Sequence, residues 1–158
     1  MTGKLHQYTV AVTWTGNRGT GTSGYRDYGR DHEIAAAGKP MIPGSSDPAF
    51  RGDPERWNPE EMLVASVSTC HQLWYLHLAS EAGIRVVAYE DRPVGRMVED
   101  PNGSGHFTGV TLRPIVTIAA GDDPTKAAAL HHDAHEMCFV ANSVKFEIDC
   151  VPEIRFET

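Results

Sequence analysis

Cysteine is scarce in this chain, with three residues among 158. So small and odd a number does not make the paired framework of a secreted disulfide scaffold, so reduced thiols are expected. Basic charge is also scarce. Lys and Arg total 14 against 21 Asp and Glu, a formal net charge of -7. With no Lys/Arg cluster to offset this background, nucleic acid and anionic membrane are excluded as partners. Long apolar runs are missing as well: no stretch reaches the ~18 apolar residues of a membrane span. The opening MTGKLHQYTVAVTW alternates polar and apolar residues where a signal peptide would run apolar throughout. A cytoplasmic protein is expected, with a small neutral or apolar substrate left open. Finally, there is no disordered or fibrous bias, since 41% hydrophobic and 22% charged residues are globular values. The length suits a single domain over residues 1–158 with a core of its own.

What is present centres on Asn58 to Gly83, NPEEMLVASVSTCHQLWYLHLASEAG. Asn58 is a good N-cap, Pro59 occupies the first helical position where a missing N–H does no harm, and Glu61 completes a capping box. Gly83 supplies the stop. Between them apolar and small residues recur on every side, as in a helix covered all round. Cys70 falls at its middle. Apolar burial raises a thiol pKa and makes the group inert, so Cys70 is either a small core residue or a nucleophile to which a cation must be brought.

Around this helix the pattern alternates between the two periods. Residues 5–14 read as a strand with His6, Tyr8, Val10, Val12 and Trp14 on its core side. GNRGTGTSG, four glycines in nine residues, reads as a turn carrying Arg18. Part of 25–37 alternates like a strand. Residues 38–57 hold four of the ten prolines and read as a long ordered loop bearing Phe50, Arg51, Arg56 and Trp57. Beyond the helix, 84–99 and 106–120 are β-branched, and the intervening DPNGSG signals an antiparallel hairpin. Asp123 and Pro124 start a second helix, DPTKAAALHHDAHEMCFVA, with the stripe Ala127, Leu130, Ala134, Met137, Ala141 and with Cys138 beside it. Cys150 belongs to a closing strand region in which Pro152 implies an edge or bulge. This order predicts an α+β domain with helices against antiparallel sheet.

Two motifs carry a resemblance. Asn58-Pro59-Glu60-Glu61-Met62-Leu63, followed by the helix cysteine Cys70, and Ala134-His135-Glu136-Met137-Cys138 with Ala141-Asn142-Ser143, together resemble the osmotically inducible protein C and organic hydroperoxide resistance (OsmC/Ohr) family. The likeness spans most of the chain. It implies an OsmC-like fold, antiparallel sheets around two central helices in an intertwined homodimer. It also implies a thiol-dependent peroxidase acting on organic hydroperoxides, recycled by an external dithiol of lipoyl or thioredoxin type, with no cofactor or metal. Cys70 is then the peroxidatic thiol, Cys138 the resolving thiol, and an arginine held by Glu60 favours the thiolate. Arg51 resembles the OsmC-type position for that arginine and Arg18 the Ohr-type position. On an ideal helix Glu60 stands about 15 Å along the axis from Cys70 and about 80° round, so it acts only through such an intermediary. Phe139 departs from the family's common proline after the second cysteine, and Thr69 and His71 depart beside the first. Trp57, Leu73, Trp74 and Phe139 are candidates to line an apolar pocket.

Two other readings stand beside this one. His131, His135 and Cys138, at i, i+4 and i+7, share a helix face and suit zinc, with His71 or Cys70 as a further ligand. Alternatively the cysteines are packing residues of an inert or ligand-binding member of the same fold, the reading favoured for Cys150.

Overall fold

The computed structural model describes residues 3–158, which gather into two compact units, one extending to Met62 and the other from Leu63 to Thr158. Among the described residues the elements are α+β as expected, with two α-helices and three three-stranded sheets.

In the first unit, β1 (Ala11–Trp14), β2 (His32–Ala35) and β3 (Ile42–Gly44) form an antiparallel sheet in sequence order, with Trp14 opposite His32 and Ile34 opposite Ile42. The strand expected over 5–14 pairs only in its last four residues. Its expected core side faces out, with Tyr8 89%, Val12 66% and Trp14 43% exposed. The alternation does mark a strand face, but a face needs a cover, and this unit supplies none. The segment 38–57 is likewise less irregular than its prolines suggest. It contains β3, a 3₁₀ turn over Pro48–Phe50 capped by the Asp47 carboxylate, and a bridge from Gly44 to Trp57. Prolines fit here because a three-residue edge strand and a first-turn position need few N–H donors.

α1 (Pro59–Glu81) begins as its capping signals require. Asn58 Oδ1 accepts the Glu61 N–H at 2.8 Å and the Glu61 carboxylate accepts the Asn58 N–H at 3.3 Å. Gly83, at φ 74°, ends it in the left-handed region that glycine enters without strain. Its burial is one-sided, contrary to the all-round cover expected. Val67, His71, Tyr75 and Ala79, four apart, are buried, whereas Leu73 is 66% exposed.

In the second unit the two β-rich segments each divide in two. β5 (Val94–Glu99) and β6 (Gly105–Leu112) make the predicted hairpin. β4 (Val86–Glu90) pairs antiparallel with β7 (Ile115–Ile118). β8 (Glu147–Cys150) then joins β6 and β9 (Glu153–Phe156) joins β7, both in parallel, so the sheets are mixed. Pro152 falls in the break between β8 and β9, where no ladder donor is lost. At Gly95 a side chain would collide with Val64 and Phe107, so glycine there permits close approach of sheet and helix.

α2 (Pro124–Met137) is capped by the Asp123 carboxylate, which accepts the N–H groups of Thr125 and Lys126. It stops sooner than its apolar text suggests. Cys138 is already extended, and a separate 3₁₀ turn spans Ala141–Ser143. Tyr75, Ala79, Ile84, Val116, Ile118, Ala127, Leu130 and Ala134 form the main core cluster. Complete burial of a Leu or Ile here contributes roughly 1.5–3 kcal/mol. No described helix is long and apolar enough to cross a membrane.

Candidate active site

The second unit brings two of the predicted residues together. Cys70 lies midway along α1, half-buried, on the turn after Val67. Cys138 leaves the end of α2 in extended conformation (φ -70°, ψ 112°) and is 1% exposed. Both are free thiols, and Cys70 lies close enough to the Cys138 thiol to act on its ionisation. Burial pushes the Cys138 thiol up to about 11, the Ala141 N–H pointing at its sulfur works the other way, and the neighbouring Cys70 raises it further. That N–H reaches Sγ at 3.4 Å. At neutral pH Cys138 therefore keeps its proton. Of the two cysteines Cys70 is the more exposed, half-buried where Cys138 is sealed.

Apolar side chains flank the pair. The Trp74 ring meets Phe139 edge-on at 5.6 Å, and Leu73, Trp74 and His77 line a shallow cleft of about 240 Å³. Leu73 and Phe139 are both largely exposed, at 66% and 71%. Trp57, predicted beside them, belongs to the first unit and is 50% exposed.

Arg51, Glu60 and Arg18 also belong to the first unit. Arg51 closes the Pro48–Phe50 turn at φ 66°, the one positive φ of a non-glycine residue among those described, with its N–H on the Pro48 carbonyl at 3.0 Å. A non-glycine held in the left-handed region is strained, and the surrounding turn must impose it. Its guanidinium lies 6.0 Å from the centre of the Tyr25 ring. Glu60, half-buried, stands in the first turn of α1. Arg18 is exposed in the glycine-rich turn. Arg56 is engaged elsewhere, with Asp31 at 3.5 Å and Asp53 at 3.8 Å.

A second cluster lies one residue along α1, and it differs from the metal face proposed for α2. Among the described residues, the ligand atoms that converge belong to His71, His131 and Cys150, all within 4.8 Å of one another. His135 and Cys138 are not in that group, because Cys138 has left the helix and its sulfur is turned to Cys70 and Ala141. His71 and His131 are 1% and 3% exposed. Their rings are parallel to within 2°, with His71 Nε2 and His131 Nδ1 2.9 Å apart. Burial lowers His71 to about 4, partly opposed by Asp91, and lowers His131 to about 3, with His71 adding to the effect. Cys150 is pushed up to about 12 by burial and by Asp91. The sequence holds a signal for this cluster: His71 continues the line Val67, Tyr75, Ala79, and His131 stands four after Ala127, both at core positions of their helices.

Known proteins agree with this architecture. The family model for OsmC-like proteins matches residues 52–153. An OsmC-like protein of unknown function from Vibrio cholerae O1 biovar eltor superposes with a TM-score of 0.84 at 30% identity, covering 94% of this chain and 99% of that one. The organic hydroperoxide resistance protein OhrB of Bacillus subtilis gives a TM-score of 0.60 at 25% identity, over 94% of this chain and 98% of its own. An organic hydroperoxide resistance protein from Legionella pneumophila gives 0.67 at 19% identity, over 96% and 99%, a likeness of fold. Among curated proteins none matches. With two helices and mixed sheets matched across nearly the whole length, and with both cysteine motifs in place, the chain belongs to the OsmC-like protein family.

Proposed function

We propose that this protein is a cysteine-based peroxidase that reduces organic hydroperoxides to alcohols in oxidative-stress defence. The observation that carries the reading is the proximity of two free cysteines from distant parts of the chain, one half-buried and one fully buried. In the first step the Cys70 thiolate attacks the distal oxygen of R–O–O–H. The O–O bond breaks, RO⁻ takes up a proton and leaves as ROH, and Cys70 becomes a sulfenic acid. Cys138 then attacks that sulfur, water leaves, and a Cys70–Cys138 disulfide forms. An external dithiol of lipoyl or thioredoxin type returns both thiols and is itself oxidised.

Cys138 suits the resolving role because a thiol kept protonated by burial does not compete for the peroxide. Cys70 sits three turns into α1, beyond reach of the helix N-terminal dipole, so its thiolate needs a cation. We assign that cation to Arg51, held by Glu60, with Arg18 as the second candidate. The strained backbone of Arg51 supports the choice, since strain of this kind collects at functional positions. Leu73, Trp74 and Phe139 offer an apolar approach that favours organic over hydrogen peroxide.

The working form is a cytoplasmic homodimer in this reading. Its support is the apolar alternation left uncovered on the single chain, namely Tyr8, Val10, Val12 and Trp14, together with exposed Leu73 and Phe139. One equivalent of cumene hydroperoxide should lower the intact mass of the reduced protein by two hydrogens, linked between Cys70 and Cys138 on peptide mapping. Unchanged mass with intact thiols would remove the peroxidase assignment.

A further inference from the structure

We infer that His71, His131 and Cys150 form a second site that binds a zinc-class divalent cation through two imidazole nitrogens and one thiolate. The site lies within the second unit and does not depend on the peroxidase reading.

The first argument is metric. His71 Nε2 stands 2.9 Å from His131 Nδ1 and 3.9 Å from Cys150 Sγ, and the three ligand atoms lie within 4.8 Å of one another. A triangle of those sides has a centre roughly 2.4 Å or less from every corner, beside typical Zn–N bonds of about 2.0–2.1 Å and a Zn–S bond of about 2.3 Å. A small opening of the histidine pair therefore suffices.

The second argument is that ordinary packing does not account for the cluster. Two imidazoles at most 3% exposed are costly to bury, and they share a single good hydrogen bond. His131 Nε2 is buried and has no partner at all, one of two such side-chain atoms among the described residues. The Cys150 contact at 3.9 Å is too long to satisfy either group well. Three groups whose ligand atoms lie this close together, only partly satisfied by one another, make a set of donors with room for an ion.

Surroundings and access also fit. Asp91 acts electrostatically on both His71 and Cys150. Its oxygens are fixed by Ser68 Oγ at 2.5 Å and the Arg113 N–H at 2.7 Å. One dipositive ion, one thiolate and this carboxylate sum to zero charge, which removes the penalty of an unpaired buried charge. Tyr75 stacks on His131 at 4.1 Å between ring centres while its hydroxyl donates to the Ala127 carbonyl at 2.9 Å, so packing holds the His131 ring in place. A cleft of about 350 Å³ is lined in part by His131, His135, Asp149 and Cys150, two of the three ligand residues. Nitrogen and sulfur donors favour zinc and its soft neighbours over magnesium or calcium. On binding, the ion replaces the Cys150 proton, which passes to solvent, with no change of oxidation state.

The test uses the full chain, metal-free and reduced, with Cys70→Ser and Cys138→Ser together so that the other thiol pair cannot bind metal. Calorimetric titration with Zn²⁺ should give one ion per chain and one proton released. Titration with Co²⁺ should give a thiolate-to-cobalt charge-transfer band. Adding Cys150→Ser should erase that band and weaken zinc binding by more than the roughly 10–100-fold usual for loss of an outer partner. Should the Cys150 variant fail to fold, imidazole ¹⁵N resonances of the parent decide: zinc must move those of two of the eight histidines, His71 and His131. Absence of zinc binding, a cobalt spectrum without thiolate character, binding lost with the Cys70/Cys138 pair, or shifts confined to other histidines would each overturn the inference.

Discussion

Cys70 and His71 are consecutive residues on one helix, yet they serve opposite surroundings. The turn of about 100° between neighbours leaves Cys70 half-buried in the neighbourhood of Cys138 and drives His71 to 1% exposure beside His131 and Cys150. A thiol that must meet a dissolved peroxide needs access, whereas a donor set that holds an ion needs desolvation and fixed rings. In the proposed readings, neighbouring positions of one helix border two separate sulfur sites, one at Cys70 and one at Cys150. The contrast shows that cysteine count alone is a poor guide, since Cys150, the residue most easily dismissed as packing, lies in the more elaborate of the two clusters.

The sharpest way to break this contrast is to remove each sulfur of the facing pair. Cys70→Ser should reduce peroxide turnover to the uncatalysed background and abolish the loss of two hydrogens on treatment with cumene hydroperoxide, read by intact mass. Cys138→Ser should still react once, leaving a sulfenic acid at Cys70 that dimedone captures, while multiple turnover fails. If Cys138→Ser instead blocks the first reaction and Cys70→Ser does not, the roles are reversed.

Next in size is the effect of acid on the metal-free protein. His71 and His131 are held near 4 and 3 in the folded state, against an ordinary value of 6.5. Above 6.5 both states are neutral and the pair contributes no pH dependence. As pH falls below 6.5 the unfolded chain binds protons that the folded chain refuses, so stability declines down to about pH 3. Each tenfold difference in proton affinity between the two states is worth about 1.4 kcal/mol. On the alkaline side Cys138 and Cys150 remain thiols up to about 11 and 12 when folded but ionise near 9 when unfolded, so stability also falls above pH 9. Urea midpoints measured across pH should form a plateau between about 6.5 and 9. A stability that is unchanged from pH 7 to pH 4.5 would mean that the histidine pair is not held neutral.

Legibility in the sequence follows the range of the interactions. The capping box at Asn58, the stop at Gly83 and the start at Asp123 are made within a few residues, and each is readable. The hairpin of β5 and β6 is readable for the same reason. Parallel addition of β8 and β9 is not, because register between strands separated by a helix leaves no local mark. Nor is the end of α2, where apolar residues continue past the turn while the Asn142 side-chain amide takes up the Glu136 carbonyl. The meeting of Cys70 with Cys138 enters as an implication of family likeness. The joining of His71 to His131 and Cys150 across three elements escapes the sequence reading, although both histidines occupy buried helical positions where an apolar side chain is the rule.

The smallest effect expected concerns the link between the histidine cluster and the core. Tyr75 touches the histidine site by stacking on His131 and ties α1 to α2 through its hydroxyl on the Ala127 carbonyl, one turn beyond His71. Tyr75→Phe keeps the ring and deletes only the hydroxyl, leaving the carbonyl without that donor, which should cost about 1 kcal/mol in urea unfolding. If Tyr75 acts only as a strut between helices, that loss is all that follows, and the zinc affinity of the metal-free protein stays the same. If it also fixes the His131 ring, zinc binding weakens along with stability, most visibly as faster release. Separating those two readouts tells whether the desolvated cluster owes its shape to the core around it or to one tyrosine hydroxyl.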